Sequence, residues 1–170
     1  MTGPRVILVG PPGVGKTTIG TLLSERLGLP LRDTDADVEA RTGRTVPDLF
    51  IDDEQAFRAL EAEAVAVALG EHTGILALGG GAVLAPSTRA GLQGQTVVFL
   101  SVELADAVRR TGLATARPVL GLNPRATLRT LLAERRPVYE EVATVTVPTD
   151  GRTPAEVADA VLAALKVATP

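Results

Sequence analysis

Residues 10–17 read Gly10-Pro11-Pro12-Gly13-Val14-Gly15-Lys16-Thr17 and match the pattern G-x-x-x-x-G-K-[ST]. An apolar run at 6–9 precedes this stretch, and a helical pattern at 17–27 follows it. In that context the backbone N–H groups of a glycine-rich loop can surround phosphate oxygens, with the positive end of the helix dipole behind them. The stretch therefore predicts a nucleotide phosphate-binding loop in an α/β fold. A glycine-rich turn without a ligand is the alternative.

The side chains of this loop have distinct predicted tasks. Lys16 is expected to reach the β- and γ-phosphates of ATP, and the Thr17 hydroxyl is expected to bind Mg²⁺. We predict nucleotide contacts along the whole loop, at Pro12, Gly13, Val14, Gly15, Lys16 and Thr17. The only other lysine is Lys166, so the guanine-specificity motif N-K-x-D is absent and a GTPase is disfavoured.

Composition narrows the class of protein further. The chain has 170 residues, which predicts one domain. The net charge of -3 indicates no nucleic-acid partner, and the absence of cysteine excludes disulfides and cysteine-ligated zinc. The apolar run at 6–9 is too short for a secretory signal, and no run approaches the roughly 20 residues of a membrane helix. We expect a cytoplasmic protein that acts as a monomer, without a membrane.

Short apolar runs alternate with longer helical patterns along the chain. Strands are predicted at 5–9, 30–32, 75–78, 96–100 and 143–147. Helices are predicted at 17–27, 53–69, 86–92, 103–110, 125–142 and 154–166. Because the strands are continuously apolar, we expect a five-stranded parallel sheet covered on both faces, a three-layer α/β sandwich of the P-loop NTP hydrolase type. We expect a single domain over 1–170, with a substrate-binding segment at 33–61 and a mobile lid at 112–124.

A second site is expected where the strands end, because ligands of such sheets bind at the carboxyl ends of the strands. Asp33 and Asp35 follow the second strand, and three consecutive glycines, Gly79, Gly80 and Gly81, follow the third. Several arginines lie on helices or loops that could close over this edge, namely Arg58, Arg117, Arg135 and Arg136. A planar guanidinium binds a carboxylate through two parallel N–H donors.

Seven segments in this order resemble the shikimate kinases, and the resemblance runs nearly end to end. They lie at 10–18, 33–35, 41–43, 57–61, 78–82, 116–120 and 134–139. The triple glycine, with D-x-D, F-R-x-x-E and R-x-P-x-Y in this order, is specific. The resemblance implies transfer of the γ-phosphate of ATP to the 3-hydroxyl of shikimate, with Mg²⁺ as cofactor, in chorismate and aromatic amino-acid biosynthesis.

The resemblance also implies roles for single residues. Asp33 resembles the Mg²⁺-holding aspartate, and Asp35 the one that binds the ring hydroxyls of shikimate. Arg58 and Arg135 resemble the pair that binds its carboxylate, while Gly79, Gly80 and Gly81 match the backbone that approaches its ring. Arg117 resembles the lid arginine that reaches the ATP phosphates, and Arg152 stands where the family contacts the adenine side. With Lys16, these implied roles make Asp35 and Arg117 the candidate catalytic residues.

Several of these residues also have alternative, purely structural interpretations. Asp33 could be a turn residue, which aspartate favours. Arg58 could be a solvated helix charge paired with Glu54 or Glu61. For the whole chain, the alternatives are another small-metabolite kinase, such as a gluconate or nucleoside-monophosphate kinase, and a nucleotide-binding module without catalysis.

Overall fold

The computed structural model describes residues 3–111 and 124–168. Its strands are β1 Val6–Val9, β2 Leu31–Asp33, β3 Ile75–Ala77, β4 Val97–Ser101 and β5 Val145–Pro148. Its helices are α1 Lys16–Leu27, α2 Thr34–Thr42, α3 Val46–Asp52, α4 Glu54–Glu71, α5 Pro86–Leu92, α6 Leu104–Thr111, α7 Pro124–Val142 and α8 Pro154–Ala168, with a 3₁₀ turn at Ala82–Leu84.

The five strands form one parallel sheet in the order β2-β3-β1-β4-β5. The central strand β1 pairs on both sides, with Ile7 opposite Leu76 of β3 and Val97 of β4. Every pairing in the sheet is parallel, so the predicted five-stranded parallel sheet is confirmed. All carboxyl ends of the strands consequently meet at one edge, which is where the candidate residues lie.

Two helical layers cover the sheet, because alternate residues of a strand point to opposite faces. Leu8 of β1 belongs to a buried cluster with Leu23 of α1 and Val161 of α8. Ile7 belongs to the opposite cluster, which includes Val65 of α4. The continuous apolar sequence of β1 follows from this burial on both faces.

The sequence patterns did not predict α2 and α3, which have only nine and seven residues. Each helix nevertheless has a local start signal: the Asp33 side chain caps α2, and the Thr45 side chain caps α3. Together with α4 they enclose a small core of their own, formed by Val38, Leu49, Phe57 and Ala64. The segment that follows β2 is therefore an ordered helical unit packed on α4.

The predicted end of the long helix before β3 was wrong. It was predicted at residue 69, but α4 continues to Glu71, so Gly70 lies inside the helix despite the weak helix propensity of glycine. The helix ends at His72, whose ring Nε2 hydrogen-bonds to the carbonyl oxygens of Pro30 at 3.1 Å and Ile75 at 2.8 Å. Across the described ranges, no helix is long and apolar enough to cross a membrane.

Candidate active site

The phosphate loop joins β1 to α1, and its backbone conformation depends on glycine. Gly13 has a φ of 80° and Gly15 a φ of 103°, values that residues with a Cβ rarely adopt. Gly15 is the N-cap of α1 and gives its first turn no side-chain hydrogen bond. The N–H groups of that turn can therefore bind an anion in the loop.

The Lys16 ammonium folds back over the loop that precedes it. Its Nζ donates hydrogen bonds to the carbonyl oxygens of Gly10 at 2.7 Å and Pro11 at 3.0 Å. These bonds hold the cation at the mouth of the loop, beside the start of α1. A phosphate group in the loop offers Lys16 stronger, charge-assisted hydrogen bonds in place of the carbonyl contacts.

Asp33 connects the phosphate loop to the start of α2. Its Oδ2 accepts a hydrogen bond from Thr17 Oγ1 at 2.8 Å, and its Oδ1 accepts one from the N–H of Asp35 at 2.8 Å. Oδ1 thus caps α2, which is the local structural role considered as the alternative for Asp33, while Oδ2 faces Thr17. A hydroxyl and a carboxylate side by side are oxygen donors of the kind that Mg²⁺ prefers.

Asp35 and Glu61 crowd around the first glycine of the triple-glycine turn. A Cβ added to Gly79 would lie 2.5 Å from Asp35 Oδ1 and 2.8 Å from Glu61 Oε2, so only glycine leaves room for both carboxylates. Burial raises the pKa of Asp35 to about 6, and the charges of Asp33 and Glu61 add to the rise. Burial also raises the pKa of Glu61, against the lowering effect of Arg58.

The Arg58 guanidinium is held by one carboxylate and two aromatic rings. Its Nη1 lies 2.7 Å from Glu61 Oε1, and its Cζ lies 5.5 Å from the ring centre of Phe50 and 5.3 Å from that of Phe57. The alternative ion pair with Glu61 is confirmed. However, the Glu61 side chain is only 4% exposed, so the pair lies inside the site and not on a solvated helix face.

The two adjacent arginines of α7 point to different environments. Arg135 lines the same cavity as Arg58. Arg136 instead pairs with Glu140 at 2.9 Å and with Glu103 at 3.3 Å, on the exposed side of the helix. Arg135 is therefore the residue of this pair that faces the cavity.

A single cavity of about 550 Å³ extends from the phosphate loop to the arginine pair. Its lining includes most of the residues singled out in the sequence: Pro12, Gly13, Gly15, Lys16, Thr17, Asp33, Asp35, Arg58, Gly80, Gly81 and Arg135. Gly79 adjoins it through the contacts with Asp35 and Glu61 described above. Arg117 and the predicted lid, apart from Pro124, lie outside the described residues.

Arg152 lies in the loop between β5 and α8, away from this cavity. It donates a hydrogen bond to the Pro148 carbonyl at 3.2 Å. Arg110 connects this loop to the phosphate loop, because it donates to the Thr149 hydroxyl at 2.7 Å and to the Val14 carbonyl at 3.4 Å. The β5–α8 loop is therefore a neighbour of the phosphate loop on the side away from Arg58.

A sequence model of the family described as shikimate kinase matches residues 12–166. This chain belongs to the shikimate kinase family. It is 62% identical to the shikimate kinase of Salinispora arenicola over 163 residues, which cover 95% of this chain and 98% of that protein. It is 57% identical to the shikimate kinase of Streptomyces avermitilis, with 98% of both chains covered.

Solved structures agree with this family at the level of the whole fold. The structure titled shikimate kinase from Acinetobacter baumannii in complex with shikimate superposes with a TM-score of 0.91 at 34% identity, covering 99% of this chain and 96% of that chain. A gluconokinase from Sinorhizobium meliloti superposes with a TM-score of 0.61 at 22% identity, covering 97% and 93%. That second likeness concerns the fold alone, and the predicted P-loop kinase architecture is confirmed.

Within this shikimate kinase fold, sequence reasoning missed two kinds of site residue. Glu61 was noted as the last residue of F-R-x-x-E and as a partner for a solvated arginine, but no role was assigned to it. Its burial beside Asp35 places it in the site. Phe50 was not considered, because its segment carried no predicted element. The available signal in the sequence was the scarcity of aromatic residues, which make up 2% of the chain, because it draws attention to each one. Phe50 and Phe57 both contact Arg58.

Proposed function

We propose that this chain is a shikimate kinase, which transfers the γ-phosphate of ATP to the 3-hydroxyl of shikimate and releases ADP and shikimate 3-phosphate. One observation carries the proposal: the phosphate loop, Asp35 and the two arginines line one cavity. A phosphate donor and a hydroxy acid can thus bind next to each other there. The product would serve aromatic amino-acid biosynthesis through chorismate.

In the proposed complex, Arg58 and Arg135 bind the carboxylate of shikimate. They come from α4 and α7 and line the same end of the cavity, so each can donate charge-assisted hydrogen bonds to the same carboxylate. The glycine next to Arg58 supports this role. A Cβ on Gly81 would lie only 2.6 Å from Cζ of this guanidinium, so the guanidinium would have to move.

The proposed task of Asp35 is to orient the attacking hydroxyl. Its carboxylate lines the cavity between the phosphate loop and the arginine end, so it can accept the hydrogen bond of a substrate hydroxyl and direct the oxygen towards the γ-phosphate. Gly79, Gly80 and Gly81 leave room for the ring to approach the backbone. Phosphoryl transfer needs such positioning more than covalent help from the protein.

The donor side of the proposal rests on the loop of residues 10–17. Lys16 and the N–H groups at the start of α1 would hold the β- and γ-phosphates, and Thr17 with Asp33 would hold Mg²⁺, which neutralises the charge of the transferring phosphate. Two protein oxygens suit this ion, since Mg²⁺ usually keeps waters and phosphate oxygens as its other ligands. For Arg117 and for the adenine contact of Arg152, the proposal rests on the family pattern alone.

We also propose that one chain is sufficient for activity, because α1, α2, α4 and α7 of the same chain supply the described lining. The expected location is the cytoplasm, where ATP is available.

The test is ADP release in the presence of ATP and Mg²⁺ with shikimate, quinate, gluconate or AMP as acceptor. We expect turnover with shikimate, confirmed by detection of shikimate 3-phosphate. Turnover with gluconate instead would keep the kinase and replace the substrate. Binding of ATP without turnover on any acceptor would contradict the proposal as a whole.

A further inference from the structure

Tyr139 lies behind the wall of the cavity, four residues after Arg135 on α7. Its side chain is 1% exposed, and its ring stacks on Phe99 of β4 with the ring centres 5.0 Å apart and an interplanar angle of 29°. Residues four apart on a helix share a face, so the hydroxyl end of Tyr139 comes close to the guanidinium of Arg135. The stacked pair fixes the direction of the ring.

The hydroxyl of Tyr139 has two neighbours that belong to the site. It donates a hydrogen bond to the Gly80 carbonyl, which can only accept. The Arg135 guanidinium, which can only donate, lies near enough to this hydroxyl to oppose the rise of its pKa. Burial raises the pKa of Tyr139 to about 12, so the phenol stays protonated and can donate its hydrogen bond to the Gly80 carbonyl.

Gly80 is itself pressed against the phosphate loop. A Cβ added to it would lie 2.8 Å from Cδ and Cγ of Pro12. The Tyr139 hydroxyl therefore stands in a chain of contacts that runs from Arg135 through Gly80 to the phosphate loop. Both Gly80 and Arg135 line the cavity, which places the hydroxyl where it can set their separation.

We propose that Tyr139 is a positioning residue for the substrate carboxylate: its buried hydroxyl fixes the Arg135 guanidinium relative to the Gly80 turn. The inference rests on the proposed function, since it names Arg135 as a ligand of the carboxylate. Tyr139 thus has a task beyond packing, although its ring lies fully inside the core. Its hydroxyl acts on the substrate through Arg135 and not by direct contact.

The variant Tyr139→Phe removes the hydroxyl and keeps the ring stack. We expect the KM for shikimate to rise about 5- to 20-fold, the size of effect of a lost buried hydrogen bond that leaves its partner unsatisfied. The KM for ATP should stay within about twofold of the wild-type value. A KM for shikimate unchanged within about twofold, or an equal rise in both KM values, would overturn the proposal.

A double-mutant cycle separates positioning through Arg135 from other effects. In the Arg135→Ala background, Tyr139→Phe should change the KM for shikimate less than about twofold, because the group that it positions is gone. A further rise as large as that in the wild-type background would show that Tyr139 does not act through Arg135. Thr144→Val serves as the stability control, since Thr144 accepts from Val97 N–H and donates to the Gln95 carbonyl at the opposite end of β4.

A third measurement needs no change at Tyr139. The chain has one tyrosine and no tryptophan, so its tyrosine fluorescence reports this residue alone. Saturating shikimate should change the emission of the wild-type protein and leave that of Arg135→Ala unchanged. No response in a wild-type enzyme that phosphorylates shikimate would overturn the inference, whereas a wild-type protein inactive on shikimate would instead remove the proposed function.

Discussion

Asp35 is a carboxyl group that folding makes harder to ionise. Burial, followed by the charges of Asp33 and Glu61, raises its pKa from 3.8 to about 6. The folded state therefore holds this proton more tightly than the unfolded chain does. The resulting stabilisation is complete below about pH 4 and is lost as the pH rises through about 6. At neutral pH the ionised Asp35 lowers the stability of the fold at the point where the proposed reaction needs a negative charge.

The variant Asp35→Asn should therefore be more stable and inactive. At pH 8 we expect its free energy of unfolding to exceed that of the wild type by about 3 kcal/mol, from the size of the pKa shift. The difference should vanish near pH 4, where the wild-type group is protonated. Urea unfolding in buffer without metal or nucleotide, at several pH values, measures this. A variant less stable than the wild type at pH 8 would contradict the electrostatic explanation.

The adjacent residues Arg135 and Arg136 offer a matched comparison. Loss of a charged hydrogen-bonding partner costs about 1.5–3 kcal/mol, so Arg135→Ala should raise the KM for shikimate roughly 10- to 100-fold and leave the KM for ATP nearly unchanged. Arg136→Ala removes two exposed ion pairs, which contribute little, and should leave both KM values unchanged. Equal effects of the two substitutions would exclude a carboxylate-binding role for Arg135.

At the scale of elements, α3 and α4 meet at Asp53, which orders the start of α4, the helix that carries Arg58. Asp53 ends α3, and its Oδ1 accepts from the N–H of Ala56 at 3.1 Å as the N-cap of α4. The first two turns of α4 carry Phe57, Arg58 and Glu61. A well-capped start of this helix therefore fixes where the Arg58 guanidinium can lie.

Replacement of Asp53 tests whether its side chain stabilises the start of α4. Asp53→Ala should lower the free energy of unfolding by about 1 kcal/mol, the usual effect of losing an N-cap. Asp52→Ala is the matched control, because Asp52 makes only an exposed ion pair with Arg44 at 3.2 Å, and it should change stability by less than about 0.5 kcal/mol. Thermal and urea unfolding of both variants give the comparison. A loss of equal size in both would assign the effect to charge and not to capping.

At the scale of the whole molecule, the candidate site and the hydrogen bonds of His72 lie at opposite ends of the strands of the sheet. The described site residues gather where the parallel strands end. His72 bonds carbonyl oxygens at the opposite edge, where β2 and β3 begin. Both partners are acceptors, so its Nε2 must carry the hydrogen. This single histidine of the chain therefore joins two strands and the end of α4, far from the cavity.

His72→Ala should consequently lower stability without affecting catalysis. We expect a loss of about 1 kcal/mol in the free energy of unfolding, from the hydrogen bonds to Pro30 and Ile75. At a temperature where the variant is folded, kcat and both KM values should equal those of the wild type. A selective change in the KM for shikimate would show that this end of the sheet communicates with the site.

Much of the architecture could be predicted because its signals are local. The phosphate loop, the apolar strands and most helices each depend on residues within a few positions of one another. The helices α2 and α3 escaped prediction because they are short, and their buried residues pack against α4. Their caps at Asp33 and Thr45 were visible in the sequence, but aspartate and threonine are equally common in turns.

The sequence by itself determined the fold class, the phosphate loop and the family resemblance, because motif order and apolar periodicity are properties of the chain alone. Only the tertiary structure decided which side chains share one cavity. Glu61 is placed beside Asp35 by the packing of α4 on α2, and Tyr139 beside Gly80 by the packing of α7 on the sheet. Such contacts join residues dozens of positions apart, so their distances, and the pKa values that burial sets, exist only in the folded protein.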